Sequence, residues 1–322
     1  PNHNMEAPVA TFPPPFPKIT AYRGQADLLH SVKRVVCMEK IDGANMRVGV
    51  PVHASSAADI LIGGRTLMES DPGFNQAMLG PLIREDADLV NALLQLVNEL
   101  GAPLTLYGEA CGASIQRMGH IYGAKLHFVL FAARLGEVWL SPSQSARHEW
   151  PTLTQIAEKT GLTIAPVLYE GAADEDRIAT LVERVSEHAL AQGTQQPEDH
   201  MLQEGIVIWA DPMLCAPDGA PLVAKFKHPS RKEYHAPRED EDVSPASFAK
   251  RCVTQERLEH ALSYLQEKGR WDEAAPDHDA LARRVMQDVA REVDEYHALI
   301  QTFGKSVVRD AIQARALQLA SS

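Results

Sequence analysis

Strand-like segments stop near residue 230 of this chain, and only helical periodicity follows. Before that point, short runs rich in β-branched residues alternate with turn residues, which is typical of antiparallel sheets. These runs are residues 34–40, 45–50, 59–62, 103–110, 125–135, 162–169, 203–209 and 222–227. We expect the first three to form an antiparallel meander. The nearly apolar run at 125–135 is predicted to be a central strand that is buried on both faces.

Helical patterns occur both among the strands and after them. Residues 86–100 repeat leucine or valine every four positions, and Gly101 ends the pattern. Similar patterns cover residues 144–160 and 174–192. Beyond residue 240, apolar stripes with helical spacing continue almost to the C-terminus and break at Gly304. This last part of the chain is therefore predicted to be entirely helical.

The change from strand patterns to helical patterns coincides with the charged run at 238–242, which indicates a solvated linker. We predict an α+β fold, with a domain of antiparallel sheets and flanking helices over residues 30–238. A small all-helical domain is expected over residues 239–322. Residues 1–29, which are rich in proline, form an N-terminal arm in this interpretation. Residues 1–4 precede the first methionine, and we expect them to be a cloning remnant.

Composition narrows the class of protein. At 322 residues the chain can bury one large core or two smaller ones. The 45% hydrophobic and 23% charged residues are ordinary for a soluble protein, and no apolar run is long enough to cross a bilayer. The N-terminus carries no basic segment followed by an apolar one, so we expect no signal peptide. A cytoplasmic protein is predicted, with the nucleus as the alternative compartment.

Cysteine spacing and net charge limit the metal sites, disulfides and nucleic-acid contacts that we expect. The four cysteines, Cys37, Cys111, Cys215 and Cys252, are far apart and form no C-x-x-C pair. This spacing argues against a zinc site or a disulfide framework and fits a reducing compartment. The net charge of −12 argues against tight non-specific binding to nucleic-acid duplexes. A local basic lining can still attract phosphates.

The stretch that carries chemistry is Met-Glu-Lys-Ile-Asp-Gly-Ala-Asn at residues 38–45, between two predicted strands. Five further motifs follow it in order along the chain: Gly-Gly-Arg-Thr at 63–66, Tyr-Gly-Glu at 107–109, Phe-Val-Leu-Phe at 128–131, Glu-Gly-Ile-Val at 204–207 and Lys-Phe-Lys at 225–227. A single strand lysine is most often only an exposed charge. The ordered set instead predicts a site where a lysine amine attacks a nucleoside triphosphate.

The basic residues fit that chemistry. A free lysine amine has a pKa of about 10.4, so a lysine nucleophile needs an environment that favours its neutral form. Lys225 and Lys227 are two apart in a predicted strand and would project from one face toward Lys40. Their charges would disfavour a third ammonium group and hold the triphosphate. The alternative is that the pair protects a sheet edge from aggregation.

Acidic and aromatic residues complete the predicted site. Magnesium prefers oxygen ligands, and Asp42, Glu109 and Glu204 could hold it, partly through water. Phe131 could stack on a purine, although core packing is its more common role. Arg65 could equally bind a loop carbonyl, and Glu109 could satisfy a turn.

With these motifs, the chain resembles the covalent nucleotidyltransferases, which include polynucleotide ligases and capping guanylyltransferases, and most resembles RNA ligases of the RNA ligase 2 type. The resemblance covers roughly residues 30–230. It implies that Lys40 becomes adenylylated. It implies nucleotide contacts for seven residues: Glu39 through its backbone, Asn45, Arg65, Glu109, Phe131, Lys225 and Lys227. It also implies metal contacts for Asp42, Glu109 and Glu204.

The chain departs from the family pattern at two places. Many phage members carry histidine at the position of Asp42. Ala132 and Ala133 follow Phe131 where an acid is common, so Phe128 stays open as the stacking residue. DNA ligases and capping enzymes follow Lys-x-Lys with a five-stranded OB-fold, whereas helices are predicted here. This difference favours the RNA ligase branch.

The resemblance implies an adenylyltransferase domain in an ATP-dependent RNA ligase that requires Mg²⁺ or Mn²⁺. Such an enzyme joins RNA 3′-hydroxyl and 5′-phosphate ends through a lysyl-AMP intermediate and an adenylylated RNA end. We expect a monomer that acts in RNA repair without a membrane partner. The alternatives are a DNA ligase, a GTP-using capping enzyme, or a non-catalytic nucleic-acid-binding protein with the same fold.

Overall fold

The computed structural model describes residues 12–17, 19–21, 32–74, 76–113, 115–116, 119–143, 150–197, 201–228, 244–272, 275–293 and 295–320. The chain divides into two compact units. The first comprises Pro1–Glu69 and Gln76–His228, and the second comprises Ser70–Asn75 and Pro229–Ser322. The boundary predicted at residue 239 and the linker at 238–242 lie outside the described residues.

The described strands all belong to the first unit. They are β1 (Thr20–Ala21), β2 (Arg34–Glu39), β3 (Ala44–Val50), β4 (Leu61–Gly63), β5 (Leu104–Cys111), β6 (His127–Leu135), β7 (Val138–Trp139), β8 (Thr163–Ile164), β9 (Val167–Gly171), β10 (Gly205–Asp211) and β11 (Val223–Lys227). The first sheet has the order β1-β11-β10-β2-β9, and the second has the order β4-β3-β5-β6-β7, with β8 also paired to β6. Pairing is antiparallel except between β1 and β11 and between β6 and β8. The predicted α+β fold with antiparallel sheets is confirmed.

The predicted meander of the first three strands is wrong, because β2 and β3 lie in different sheets. The intervening turn carries the chain from one sheet to the other. At Gly43 in this turn, a Cβ atom would come within 2.7 Å of Ala110 O and 2.9 Å of Glu109 Cβ. Glycine therefore allows the turn to lie directly against β5. The residues that follow β2 are thus held between the two sheets.

The strand predicted at 162–169 is also divided between the sheets. Strand β8 pairs with β6 in the second sheet, whereas β9 pairs with β2 in the first. Pro166 lies between them and has no N–H group to continue a ladder. Its carbonyl accepts a hydrogen bond from Glu39 N at 2.8 Å. This bond fixes the end of β2 immediately before Lys40.

Helices flank the sheets of the first unit. They are α1 (Leu79–Arg84), α2 (Ala87–Leu100), α3 (Leu153–Thr160), α4 (Glu175–Val182) and α5 (Glu187–Ala191). Helix α2 confirms its prediction, with Asp86 as N-cap and Gly101 in a left-handed conformation at its end. Helix α3 covers the end of the range predicted at 144–160, and residues 144–149 are outside the described part of the chain.

One long helix predicted at 174–192 is instead two short ones, α4 and α5. Val185 leaves the helical path to form a bridge with Leu202, and Ser186 then caps the start of α5. Both helices bury apolar residues within the first unit. Apolar residues therefore keep a helical spacing across the break. Periodicity alone therefore did not reveal the interruption.

The described part of the N-terminal arm adds to the first unit. Strand β1 pairs with β11 at the edge of the first sheet, where Ala21 is in register with Lys225. The ring of Phe16 packs against Tyr107, Trp139 and Trp209 at centroid distances of 5.2, 5.5 and 6.1 Å. The arm is thus anchored by pairing at one point and by aromatic packing at another.

Helices make up the regular structure described in the second unit: α6 (Pro245–Cys252), α7 (Gln255–Glu267), α8 (His278–Glu292), α9 (Glu295–Phe303) and α10 (Lys305–Ala320). Their shared core includes Phe248, Leu258, Val285, Val289 and Ile312. A helical C-terminal region is confirmed, including the break at Gly304. None of the helices in the described residues is both long enough and apolar enough to cross a membrane.

Candidate active site

Lys40 directly follows β2 and faces a carboxylate. Its backbone N–H donates to Gly205 O at 2.9 Å, which ties it to β10. Its Nζ lies 2.5 Å from Glu204 Oε2, and Lys227 Nζ lies 3.3 Å from Glu204 Oε1. The side chain of Glu204 is only 5% exposed, compared with 22% for Lys40 and 14% for Lys227. The two lysines therefore meet at the two oxygens of one nearly buried acid.

Strand register explains why Lys-x-Lys faces this position. Lys225 pairs with Val207, and Lys227 pairs with Gly205, so both lysines project from the same face of the first sheet. A Cβ atom at Gly205 would overlap Phe226 O, so glycine permits this close pairing. Lys225 is half-buried in that register. We predicted cations near Lys40, and in the structure the acid Glu204 lies between Lys40 and Lys227.

Residues of the second sheet approach the same point. Asn45 and Glu109 are cross-strand partners, and Asn45 Nδ2 donates to Glu109 Oε1 at 3.4 Å. Burial raises the pKa of Glu109 to about 8, and the charge of Glu204 also raises it. The charges of Lys40 and Arg65 and the hydrogen bond from Asn45 act in the opposite direction. Residues from both sheets are thus close enough to interact electrostatically.

Glu109 and Glu204 fit a divalent cation. Glu109 Oε2 is buried and has no hydrogen-bond partner within the described part of the chain. A carboxyl group whose pKa is raised by burial and by a second carboxylate, and which has an unsatisfied oxygen, would be stabilised by a cation. Oxygen donors also suit Mg²⁺ or Mn²⁺ better than softer metals.

The backbone of Asp42 contacts Tyr122, which follows a short helical turn at Gly119–Ile121. Its backbone N–H donates to Tyr122 OH at 3.4 Å. Burial, followed by the charges of Glu109, Asp42 and Glu39, raises the pKa of the Cys111 thiol. These effects place the Asp42 carboxylate near Cys111. Its proposed share in metal binding stays a prediction.

Glu39 has a role beyond the one predicted for its backbone. Its buried carboxylate accepts Ser186 Oγ–H at 2.5 Å and His188 N–H at 3.0 Å. Burial raises its pKa to about 7. Through these bonds the residue before Lys40 holds the start of α5. Its predicted contact with the base, through the backbone, is not tested by these bonds.

Phe128 lies on the wrong face to stack on a nucleotide beside Glu109. It pairs with Ala110, and neighbouring strand residues face opposite sides of a sheet. Its ring lies directly over Gly108, where an added Cβ atom would overlap it. Phe128 is therefore a packing residue of the opposite face.

Phe131 occupies a β-bulge, where the pairing of β5 and β6 shifts between Tyr107 and Gly108. The ring of Phe16 meets Phe131 edge-on, with centroids 5.1 Å apart, and also contacts Tyr107. Phe131 thus lies on the face that Tyr107 shares with Glu109. Of the two aromatic residues, only Phe131 has a position compatible with the predicted stacking.

Sequence reasoning missed Arg47, which is two residues beyond Asn45 and only 3% exposed. Its Nη2 donates to Thr66 O at 3.4 Å. A Cβ atom at Gly63 would come within 2.7 Å of its Nε. Arg47 therefore supports the loop that carries Arg65. The available sequence signal was one charged residue inside the otherwise uncharged strand β3, since arginine is rarely buried without a partner.

No curated protein sequence matches the chain. A solved mutant of Naegleria gruberi RNA ligase with ATP and Mn is 15% identical, with a TM-score of 0.47 over 67% of this chain and 56% of that chain. A mutant with AMP and Mn is 14% identical, with a TM-score of 0.47 over 67% and 56%. The ligase with PPi is 16% identical, with a TM-score of 0.46 over 70% and 62%.

The chain thus spans somewhat more than half the length of these solved proteins. A family model described as RNA ligase matches residues 33–227, the range that contains every predicted site residue. This range is more than half of the 322 residues. The chain therefore belongs to the RNA ligase family.

Proposed function

We propose that this protein is an ATP-dependent RNA ligase in which Lys40 is the nucleophile. The observation that carries the proposal is the placement of Lys40 Nζ 2.5 Å from Glu204, whose other oxygen meets Lys227. Membership of the RNA ligase family supports the same reaction. The enzyme would join RNA 3′-hydroxyl and 5′-phosphate ends.

In the first step, Lys40 Nζ would attack the α-phosphorus of ATP. A nitrogen–phosphorus bond forms, the bond to the bridging oxygen breaks, and pyrophosphate leaves. The amine must lose a proton before or during attack, and Glu204 Oε2 at 2.5 Å can accept it. Lys227 and Lys225 would stabilise the phosphate charge from the same sheet face.

Glu109 and Glu204 would hold the divalent cation, which fits their donor set. When bound, such a cation neutralises charge on the phosphate under attack. A cation bound to Glu204 would also weaken the ion pair between Glu204 and Lys40. The protein itself would orient the Lys40 amine toward the phosphate, because the hydrogen bond from Lys40 N to Gly205 O fixes the backbone at Lys40.

In the second step, an RNA 5′-phosphate oxygen would attack the phosphorus of lysyl-AMP, and Lys40 leaves as the amine. In the third step, an RNA 3′-hydroxyl would attack the activated 5′-phosphate, and AMP leaves as the phosphodiester forms. The helices at 245–320 support the RNA branch over the OB-fold branch, because the described residues after Lys-x-Lys that form regular structure are helical.

Label transfer tests the first step. The protein should become labelled when it is incubated with Mg²⁺ and ATP labelled at the α-phosphate. Lys40→Ala and Lys40→Arg should remain unlabelled, because neither supplies a lysine amine. Lys33→Ala is the matched control, since Lys33 is an exposed lysine on the same segment. A labelled Lys40→Ala protein would falsify the nucleophile assignment.

The nucleotide and the nucleic-acid substrate are tested in separate experiments. GTP in place of ATP should give little label, and stronger labelling with GTP would indicate a capping enzyme. Nicked duplexes with ribose or deoxyribose on each side of the break should be sealed best when both sides carry ribose. Equal sealing of all-DNA nicks would favour a DNA ligase, and the absence of any adduct would favour a binding protein.

A further inference from the structure

Three potential metal ligands that the ligase chemistry does not use converge beside the candidate active site. Cys111 Sγ lies 3.5 Å from His127 Nε2 and 3.8 Å from His188 Nε2. The two Nε2 atoms are 2.9 Å apart. Cys111 and His188 are buried, and His127 is half-buried. One thiol and two imidazole nitrogens therefore point at one small volume.

These separations resemble the edges of a tetrahedral zinc site. With Zn–N near 2.05 Å and Zn–S near 2.3 Å, ligand pairs would be separated by about 3.3 Å for N···N and about 3.5 Å for S···N. Small adjustments of the side chains would convert the present triangle into that geometry. A sulfur and two nitrogens also suit Zn²⁺ better than Mg²⁺, which prefers oxygen.

The hydrogen bond made by His127 Nδ1 determines which of its ring nitrogens can bind a metal. Its Nδ1 lies 3.0 Å from Lys125 O, and a carbonyl can only accept, so Nδ1 carries the proton. In the neutral ring, this leaves the lone pair on Nε2, which faces Cys111 and His188. Donation to a backbone carbonyl is the usual outer contact of a metal-binding histidine.

The local backbone is shaped to bring these groups together. Gly112 follows Cys111 with a φ of +96°. A Cβ atom there would overlap Lys125 O and lie 3.1 Å from His127 Nδ1. Glycine thus allows the end of β5 to lie directly against the start of β6.

We infer that Cys111, His127 and His188 form a binding site for a zinc-like transition metal, with a fourth coordination position for water or another ligand. The metal would link β5 and β6 of the second sheet to α5. His188 also donates its backbone N–H to Glu39, the residue before Lys40. A bound metal would therefore brace the segment that carries the candidate nucleophile, and this inference does not depend on the proposed ligase activity.

Cobalt binding to the wild-type protein is the decisive test, because it requires no variant to fold. One equivalent of Co²⁺ should give a thiolate-to-cobalt charge-transfer band and the visible bands of a tetrahedral ion, and Zn²⁺ should remove both. The thiolate band distinguishes this site from the carboxylates Glu109 and Glu204. Cobalt spectra without that band would overturn the inference.

Variants assign the ligands. Cys111→Ser and His127→Gln should each weaken zinc binding by more than the roughly 10- to 100-fold expected for losing an outer contact. Cys215→Ser and His53→Gln are matched controls at exposed positions and should bind one equivalent like the wild type. Circular dichroism confirms that each variant is folded.

Thermal unfolding supplies a readout that is independent of spectra. Saturating Zn²⁺ should raise the Tm of the wild type and of both controls, because a ligand that binds only the folded state stabilises it. The same addition should leave the Tm of Cys111→Ser nearly unchanged. An equal rise in Cys111→Ser would show that zinc binds elsewhere and would refute the assignment.

Discussion

Replacing Glu39 by glutamine should change how the stability of the protein depends on pH. Glu39 is 2% exposed, and the folded-state pKa of its carboxyl group is raised from 4.5 to about 7. Burial is the main cause, and the charge of Glu187 adds to it. Hydrogen bonds from Ser186 and His188 oppose the shift without cancelling it.

The sign follows from proton binding. Between pH 4.5 and about 7, the folded state holds a proton on Glu39 that the unfolded state has lost. The free energy of unfolding must therefore fall as pH rises through this window. A difference of about 2.5 pH units, at 1.36 kcal/mol per unit, corresponds to roughly 3 kcal/mol. Above the folded pKa, this contribution becomes constant.

Glu39→Gln removes the titration and keeps both contacts. The amide oxygen can accept from His188 N, and the amide nitrogen can donate to Ser186 Oγ. Urea unfolding at pH 5 and pH 8 covers most of this window, so the wild type should lose about 2–3 kcal/mol more than the variant. Glu158→Gln, at an exposed position, should behave like the wild type. Parallel losses in the wild type and Glu39→Gln would refute the reasoning.

Three further predictions concern packing, the base and the second unit. Gly43→Ala should lower the free energy of unfolding by about 1–3 kcal/mol, because the new methyl group meets Ala110 O; an unchanged urea midpoint would contradict this. Phe131→Leu should raise the KM for ATP about tenfold through lost stacking, whereas Phe128→Leu should mainly lower stability. Equal effects on KM would refute the face assignment. Deleting residues 245–322 should spare lysine labelling and impair sealing, and equal loss of both activities in assays of the truncated chain would contradict that division.

The common face of Lys225 and Lys227 was predictable because strand alternation is a local property. Two lysines separated by one residue in a strand must share a face, and Lys227 Nζ meets the Glu204 carboxylate that also contacts Lys40 Nζ. The helix after Asp86 and the helical C-terminal region were likewise readable from spacing and caps. Local patterns therefore specified the elements and the direction of several side chains.

Pairing between distant segments was not predictable in the same way. The meander failed because the turn at Gly43 transfers the chain to another sheet, which depends on contacts with β5. The position of Glu204 between Lys40 and Lys227 depends on the register of three strands. Short-range spacing does not contain that information.

Ligand sets assembled from separate elements are equally hard to predict from local spacing. The sequence spacing predicted no zinc site, because metal motifs are recognised by ligands close together in the chain. Cys111 and His188 are instead brought together by the packing of α5 against the second sheet. A set of ligands from separate elements has no short sequence signature.

The central claim is that the amine of Lys40 captures the nucleotide. Its most direct test is peptide mapping by mass spectrometry after the wild type has reacted with ATP and Mg²⁺. The account predicts one AMP group on the peptide that contains Lys40, linked through nitrogen and therefore labile in acid. An AMP group on another peptide, with Lys40 unmodified, would contradict the account.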